Sequence, residues 1–334
     1  MRSSTARPDL LLEGVLTGRC TAPSTLCNGA VPPQPQRIVI DRVPIDGVTM
    51  DYAVAWTVRR LKDRAKRTPL LITGPNAQLV TIAAANARFA EALQTADLCV
   101  PDGISVVLGS RLLKGQLPER VTGGDLMERL CAESAKHGLS VFFLGGLPGA
   151  AVGAAVNLQR RYPGLRVAGT YCPPYGFEND AAESARIRRI VRDATPDLLC
   201  VAFGAPKQEI WMHDNCPSLP IGAAIAVGAA LDTQAGLRKR APRWTHKMGI
   251  EWLYRFAREP RRLWRRYLLG NSYFLFLVVR QWLVGACRFN VEPDRRGHQF
   301  TDPRSRSEGK SSHVSRRKLD QHRKPEDKTV LRRR

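Results

Sequence analysis

Between residues 37 and 228, short and nearly continuous apolar runs alternate with longer stretches of helical spacing. The runs are RIVI (37–40), PLLIT (69–73), DLCVP (97–101), SVFFLG (140–145), RVAGTY (166–171), DLLCVAFG (197–204) and IGAAIAVG (221–228). Helical patterns fall at 50–64, 76–96 and 126–136 among others. A strand with one wet face alternates polar and apolar residues, whereas one covered on both faces reads as a continuous apolar run. The alternation therefore predicts an α/β fold: a mostly parallel, Rossmann-like sheet with helices on both faces. Ligands of such sheets bind beyond the carboxyl ends of the strands. Chemistry is accordingly sought just after each run.

Charge divides the chain unevenly. The formal total is +22. Residues 1–237 hold 25 Lys+Arg against 21 Asp+Glu, or +4, and residues 238–334 hold 27 against 9, or +18. Four segments are expected: a disordered leader at 1–36, an α/β core at 37–237, a basic aromatic appendage at 238–287 and a disordered basic tail at 288–334. The leader is rich in Ser, Thr, Pro and Gly without a period and holds no convincing secretory signal. The cysteines number eight, and none forms Cys-x-x-Cys. They are read as structural thiols in a reducing, cytoplasmic setting rather than as a metal or disulfide framework.

The strand ends offer a short roll of candidates. Asn76, in Gly74-Pro75-Asn76, is a helix N-cap or a site residue. Asp102, in Pro101-Asp102-Gly103, is a cap or a catalytic base. Gly145, Gly146 and Gly149 lie in "GGLPGA", a glycine loop entering a helix, where backbone N–H groups can meet an anion. Lys207, Gln208 and Glu209 crowd the end of DLLCVAFG. Asp232 is the lone charge after the last run, fit for a ribose hydroxyl or for another cap. No Asp-x-Asp occurs in the chain, so a diphosphate would be held by cations and backbone N–H groups, with no metal.

The basic appendage interleaves cations with rings. Between Arg238 and Arg266 it holds 11 Lys+Arg and 2 Glu, with Trp252, Tyr254, Phe256 and Trp264 among them. Arginines and aromatics together suit single-stranded nucleic acid or the headgroup layer of a membrane. The apolar run from Leu268 to Ala286 favours the membrane. Asn271, Arg280 and Gln281 interrupt that run, so it is expected to lie in the interface rather than to span.

Five ordered blocks carry a resemblance. They are VPDGISVVLGSRLLKGQLPERVTGGDLM, FFLGGLPGAA, DLLCVAFGAPKQEIWM, AVGAALDTQAG and RAPRW…GIEWLYRFAREPRRLWRRYL. Together they resemble the WecG/TagA/CpsF glycosyltransferases over residues 37–277. The resemblance implies inverting, metal-independent transfer of a sugar, N-acetylmannosamine or a related hexose. The donor would be a UDP-sugar and the acceptor a polyprenyl-diphosphate-linked saccharide, in cell-surface or exopolysaccharide synthesis. It implies a peripheral enzyme at the inner face of the bacterial cytoplasmic membrane, without a cofactor or a nucleic-acid partner, and a possible homo-oligomer. Asp102 would be the base, with Arg120, Gln208 and Asn76 completing the catalytic set. Gly145, Gly146, Gly149, Lys207, Asp232, Arg255, Arg262 and Arg265 would hold the nucleotide and its diphosphate. Gly74 stands where the family often has a threonine, and Leu231 where a phenylalanine is usual. Glucosyl transfer in exopolysaccharide assembly, and a nucleotide- or nucleic-acid-binding regulator, are the competing readings.

Overall fold

Strands β3 (Leu70–Thr73), β7 (Leu198–Ala202) and β8 (Ala223–Ala226) are buried at every residue, as their continuous apolar sequences require. With β4 (Leu98–Cys99), β5 (Ser140–Gly145) and β6 (Arg166–Tyr171) they form a six-stranded sheet in the order β4-β3-β8-β7-β5-β6. Every pairing in it is parallel. The computed structural model describes residues 35–63, 68–239 and 270–285. The described elements lie within one unit, Met1–Val291.

Alternate side chains of each strand enter opposite layers. Val141 and Phe143 of β5 pack with α1 (Met50–Lys62), α5 (Gly123–His137) and α6 (Ala150–Arg161). Phe142 and Leu144 pack on the other face, with α7 (Ala181–Ala194) and α8 (Lys207–Asn215). The sheet is thus covered on both faces, and the predicted fold class is the observed one. β6, at the edge, is the most exposed strand.

Local chemistry sets the helix boundaries. α5 starts at Gly123, three residues before the predicted start, because Thr122 caps it. The Thr122 hydroxyl accepts from Asp125 N at 3.1 Å and donates to Asp125 Oδ2 at 2.7 Å. The helical stretch predicted over 76–96 is two helices, α2 (Ala77–Ala85) and α3 (Ala87–Gln94). Asn86 divides them: its side chain accepts from Phe89 N at 3.0 Å and caps α3. The short helix α4 (Ile104–Leu112) follows β4, and α9 (Ala230–Gln234) follows β8.

RIVI forms a strand, β1 (Arg37–Ile40), but outside the parallel sheet. It pairs antiparallel with β2 (Val43–Asp46), a strand the sequence pattern does not announce because Pro44 interrupts it. The buried Asp46 fastens this hairpin to β4. Its Oδ2 accepts from Cys99 N at 2.7 Å, and both carboxylate oxygens accept from Arg37. Across the hairpin lies α10 (Gly270–Leu283). Arg280 pairs with Asp41 at 2.7 Å, and Gln281 accepts from Asp41 N and donates to Val39 O, both at 2.8 Å. Phe274, Leu277 and Val278 of α10 are buried against the layer of α2 and α4. Gly109 of α4 permits that approach, since a Cβ there would stand 3.1 Å from Phe274 Cζ. Among the described residues no helix is long and apolar enough to cross a membrane.

The connections part at the middle of the sheet. The chain leaves β5 toward the β6 edge and leaves β7 toward β8, while β5 and β7 pair directly. Such a switch point opens a crevice at the carboxyl edge. The loops after β5 and β7 flank it.

Candidate active site

The loops after β3 and β4 are stitched together around Asp102. Val100 N donates to Thr73 O at 2.8 Å, and Asp102 N donates to Pro75 O at 3.0 Å. Gly74 is what lets the loops close: a Cβ there would stand 3.1 Å from Asp102 Cβ and 3.4 Å from its Oδ2. Asp102 is half-buried. It is not the N-cap of α4. That place belongs to Gly103, which has no side chain with which to cap. The carboxylate therefore stands one residue ahead of the helix cap, at the sheet edge. Val121 N donates to Pro101 O at 2.9 Å, which brings the half-buried Arg120 beside the same loop.

Asn76 does act as a cap. Its Oδ1 accepts from Gln78 N at 3.0 Å and Leu79 N at 3.2 Å, at the start of α2. Asn76 also lies against the Asp102 loop, since a Cβ on Gly103 would stand 3.3 Å from Asn76 Cβ. The neighbouring Thr73 cannot replace the missing threonine at position 74. It is the last residue of β3, buried, and its hydroxyl donates to Cys99 Sγ at 3.4 Å.

The second cluster forms where β5 meets β7. Gly145, Gly146 and Gly149 all have positive φ (98°, 86° and 82°), which suits glycine alone without strain. Gly146 N donates to Ala202 O at 2.9 Å, and Gly149 caps α6. This turn leads backbone N–H groups into the N-terminus of a 12-residue helix, an arrangement suited to an anion. The buried Asp232 reaches across to it. Its Oδ1 accepts from Leu147 N at 2.8 Å, and its Oδ2 pairs with Arg238 Nε at 3.2 Å. Asp232 thus shapes the glycine loop and ties it to the first residue of the basic appendage.

Gln208 is buried and binds two further loops. Its Oε1 accepts from Gly204 N at 3.2 Å and Gly228 N at 3.1 Å, and its Nε2 donates to Glu209 Oε1 at 2.8 Å. Lys207 turns the other way, to an ion pair with Glu178 and a cation–π contact 5.1 Å from the Tyr175 ring centroid. Arg255, Arg262 and Arg265 lie outside the described residues. The structure thus brings Asn76, Asp102 and Arg120 into one cluster. The three glycines, Asp232 and Gln208 lie along the same sheet edge, whereas the Lys207 side chain is directed to Glu178 and Tyr175.

Some residues around the candidate site carried little signal in the sequence. Glu209 sits in the Lys-Gln-Glu run, yet nothing there announces its burial. Only 2% of it is exposed, its Oε2 has no partner, and burial pushes its carboxyl up to about 7. Arg238 reads as one of many cations until Asp232 is seen beside it. Tyr175 is fully exposed on the loop after β6, and Phe177 of that loop packs on Phe203 with ring centroids 4.5 Å apart. Cys172 on this loop donates to Gly146 O at 3.2 Å, while Cys99, Cys131, Cys200 and Cys216 are buried free thiols.

Comparison with known proteins fits this geometry. The glycosyl transferase WecG/TagA/CpsF family matches residues 38–288. The chain is similar to an N-acetylglucosaminyldiphosphoundecaprenol N-acetyl-beta-D-mannosaminyltransferase of Bacillus spizizenii, 34% identical over 56% of this chain and 70% of the relative. Proteins of the same name from Bacillus subtilis and Staphylococcus aureus are 29% and 31% identical, each over 63% of this chain and 80% of theirs. The chain belongs to the WecG/TagA/CpsF family and is a glycosyltransferase.

Proposed function

We propose that the enzyme transfers N-acetylmannosamine, or a closely related hexose, from a UDP-sugar to a polyprenyl-diphosphate-linked saccharide, with inversion. The observation that carries this reading is the placement of Asp102. It is a half-buried carboxylate at the carboxyl ends of β3 and β4, outside the cap of α4, with the Arg120 segment hydrogen-bonded to its loop. The relatives named above act on a lipid-linked N-acetylglucosaminyl diphosphate.

In this mechanism Asp102 takes the proton of the acceptor hydroxyl. The freed oxygen attacks the anomeric carbon of the donor as the bond from that carbon to the diphosphate breaks. One displacement inverts the centre, so one base suffices. The departing diphosphate gains negative charge. The glycine loop and the α6 N-terminus supply N–H groups for it, and arginines supply cations. Asp232 contributes by holding Leu147 N, which fixes the loop.

The acceptor is a lipid, and the chain offers a surface to match it. Leu275, Phe276, Trp282, Leu283 and Val284 of the α10 segment are exposed, and residues 238–266 add 11 cations to 2 carboxylates. Rings and aliphatic chains enter a headgroup layer while cations meet lipid phosphate. A peripheral enzyme would thereby meet its acceptor at the membrane face. The test is a panel of UDP-sugars offered with polyprenyl-diphospho-N-acetylglucosamine, following UDP release and the lipid product. Turnover with UDP-N-acetylmannosamine is expected. Turnover with UDP-glucose alone would favour the exopolysaccharide reading, and none with any UDP-sugar would sink both.

A further inference from the structure

We infer that Glu209 is a positioning residue of the donor site: it orients the Gln208 amide, and through that amide it holds the loops after β7 and β8. The inference rests on reading this sheet edge as the donor site.

The two ends of a Gln amide have nearly the same shape, so only the surrounding groups decide which end points where. Gln208 Oε1 faces two backbone donors, Gly204 N at 3.2 Å and Gly228 N at 3.1 Å. Reversed, Nε2 would meet those two N–H groups, and both backbone hydrogen bonds of the amide would be lost. The two glycines accept either end sterically, so they cannot exclude reversal by shape. Glu209 Oε1 accepts from Nε2 at 2.8 Å and completes the one orientation that serves every partner.

The loops so held are built to depend on this bridge. Gly204 and Gly228 have φ of +77° and +53°, and a Cβ on either would meet open space. Gly204 follows β7, at the switch point, and Gly228 follows β8, which lies between β7 and β3. One side chain thus links the crevice beside β5 to the strand next to the Asp102 cluster. Retaining a carboxyl here is costly to the fold. Glu209 is 2% exposed, and its Oε2 is buried without a partner. An apolar side chain would avoid that cost. What the carboxyl adds is the acceptor that Gln208 needs.

The test uses the full chain with two readouts: hydrogen exchange of the Gly204 and Gly228 amides without ligand, and UDP affinity by calorimetry. Glu209→Leu should speed both exchanges and weaken UDP binding by about tenfold, the scale of one lost hydrogen bond. Glu209→Gln should rescue both, because its amide oxygen can still accept from Gln208. In a Gln208→Leu background, Glu209→Leu should add nothing further. Unchanged exchange in Glu209→Leu would overturn the inference, as would an undiminished effect in the Gln208→Leu background. Glu209→Met serves if the leucine variant does not fold; failure of both would make Glu209 a core residue and overturn it too. Wild-type protein that binds no UDP would sink the donor-site reading, while the exchange readout would still judge the Glu209 link.

Discussion

Gly74 and Asp102 meet at atomic contact, and that contact defines the site at its smallest scale. A methyl group at 74 would press on Asp102 Cβ at 3.1 Å, so Gly74→Ala should move the carboxylate by a few tenths of an ångström. Turnover is expected to fall about tenfold with the thermal midpoint nearly unchanged, since small misplacements of reacting groups are costly. Unaltered turnover would show that Asp102 has room to spare. Asp232→Ala should strand Leu147 N without its acceptor and cost about 1–3 kcal/mol of stability, read from denaturant unfolding. Glu209 gives a prediction with a sign. Its folded value, about 7, lies above the usual 4.5, so the folded state holds the proton more tightly. Stability therefore falls as pH rises from about 4.5 to about 7 and is level above that. Glu209→Gln, which cannot ionise, should gain on wild type by up to about 3 kcal/mol across that window. An equal gap at pH 5 and pH 8 would contradict this. Asp102 and Asn76 were legible as strand-end residues, but their division of labour was not. Both types cap helices well. Only the geometry shows that Asn76 caps α2 while Gly103, not Asp102, occupies the cap of α4.

At the scale of elements, apolar run length was the reliable signal and boundaries were not. SVFFLG is a strand over its full extent, as burial on both faces requires, and RVAGTY is one too, although it is the half-exposed strand at the sheet edge. DLCVP contracts to Leu98–Cys99, since Pro101 cannot donate to a ladder and the chain turns there into the site. The division at Asn86 depends on one side-chain hydrogen bond that a periodicity of apolar residues does not register. RIVI was legible as a strand but its hairpin was not: Pro44 interrupts β2, and the hairpin's placement is set by the buried Asp46, through Arg37 and Cys99 N, rather than by pattern. α10 depends on polar anchors as well as on Phe274, Leu277 and Val278. Gly109→Leu should therefore displace α10, because Phe274 and Val278 already lie within 3.4 Å of a Cβ there. Limited proteolysis should then cut near residues 270–285 sooner than in wild type, and equal cutting rates would deny α10 that seat.

For the whole molecule, the uneven charge and the exposed apolar face of α10 point the same way. Residues 1–237, which include the sheet and the candidate site, are nearly balanced in charge at +4, and residues 238–334 carry +18 of the +22. Phe276→Asp and Trp282→Asp alter exposed rings, so the fold should survive. Sedimentation with anionic vesicles is expected to weaken at least about tenfold, as the loss of a buried ring implies. Unchanged vesicle binding together with a shift of single-stranded DNA at matched salt would favour the nucleic-acid reading of the basic segment. The central claim concerns Asp102, and its most direct measurement compares Asp102→Asn with wild type. UDP affinity and transfer to the lipid-linked acceptor are followed in the same preparation. The variant should bind UDP as wild type does and lose transfer by at least about 100-fold, the scale of a missing general base. Near-normal transfer by the asparagine variant would contradict the assignment of Asp102 as the base.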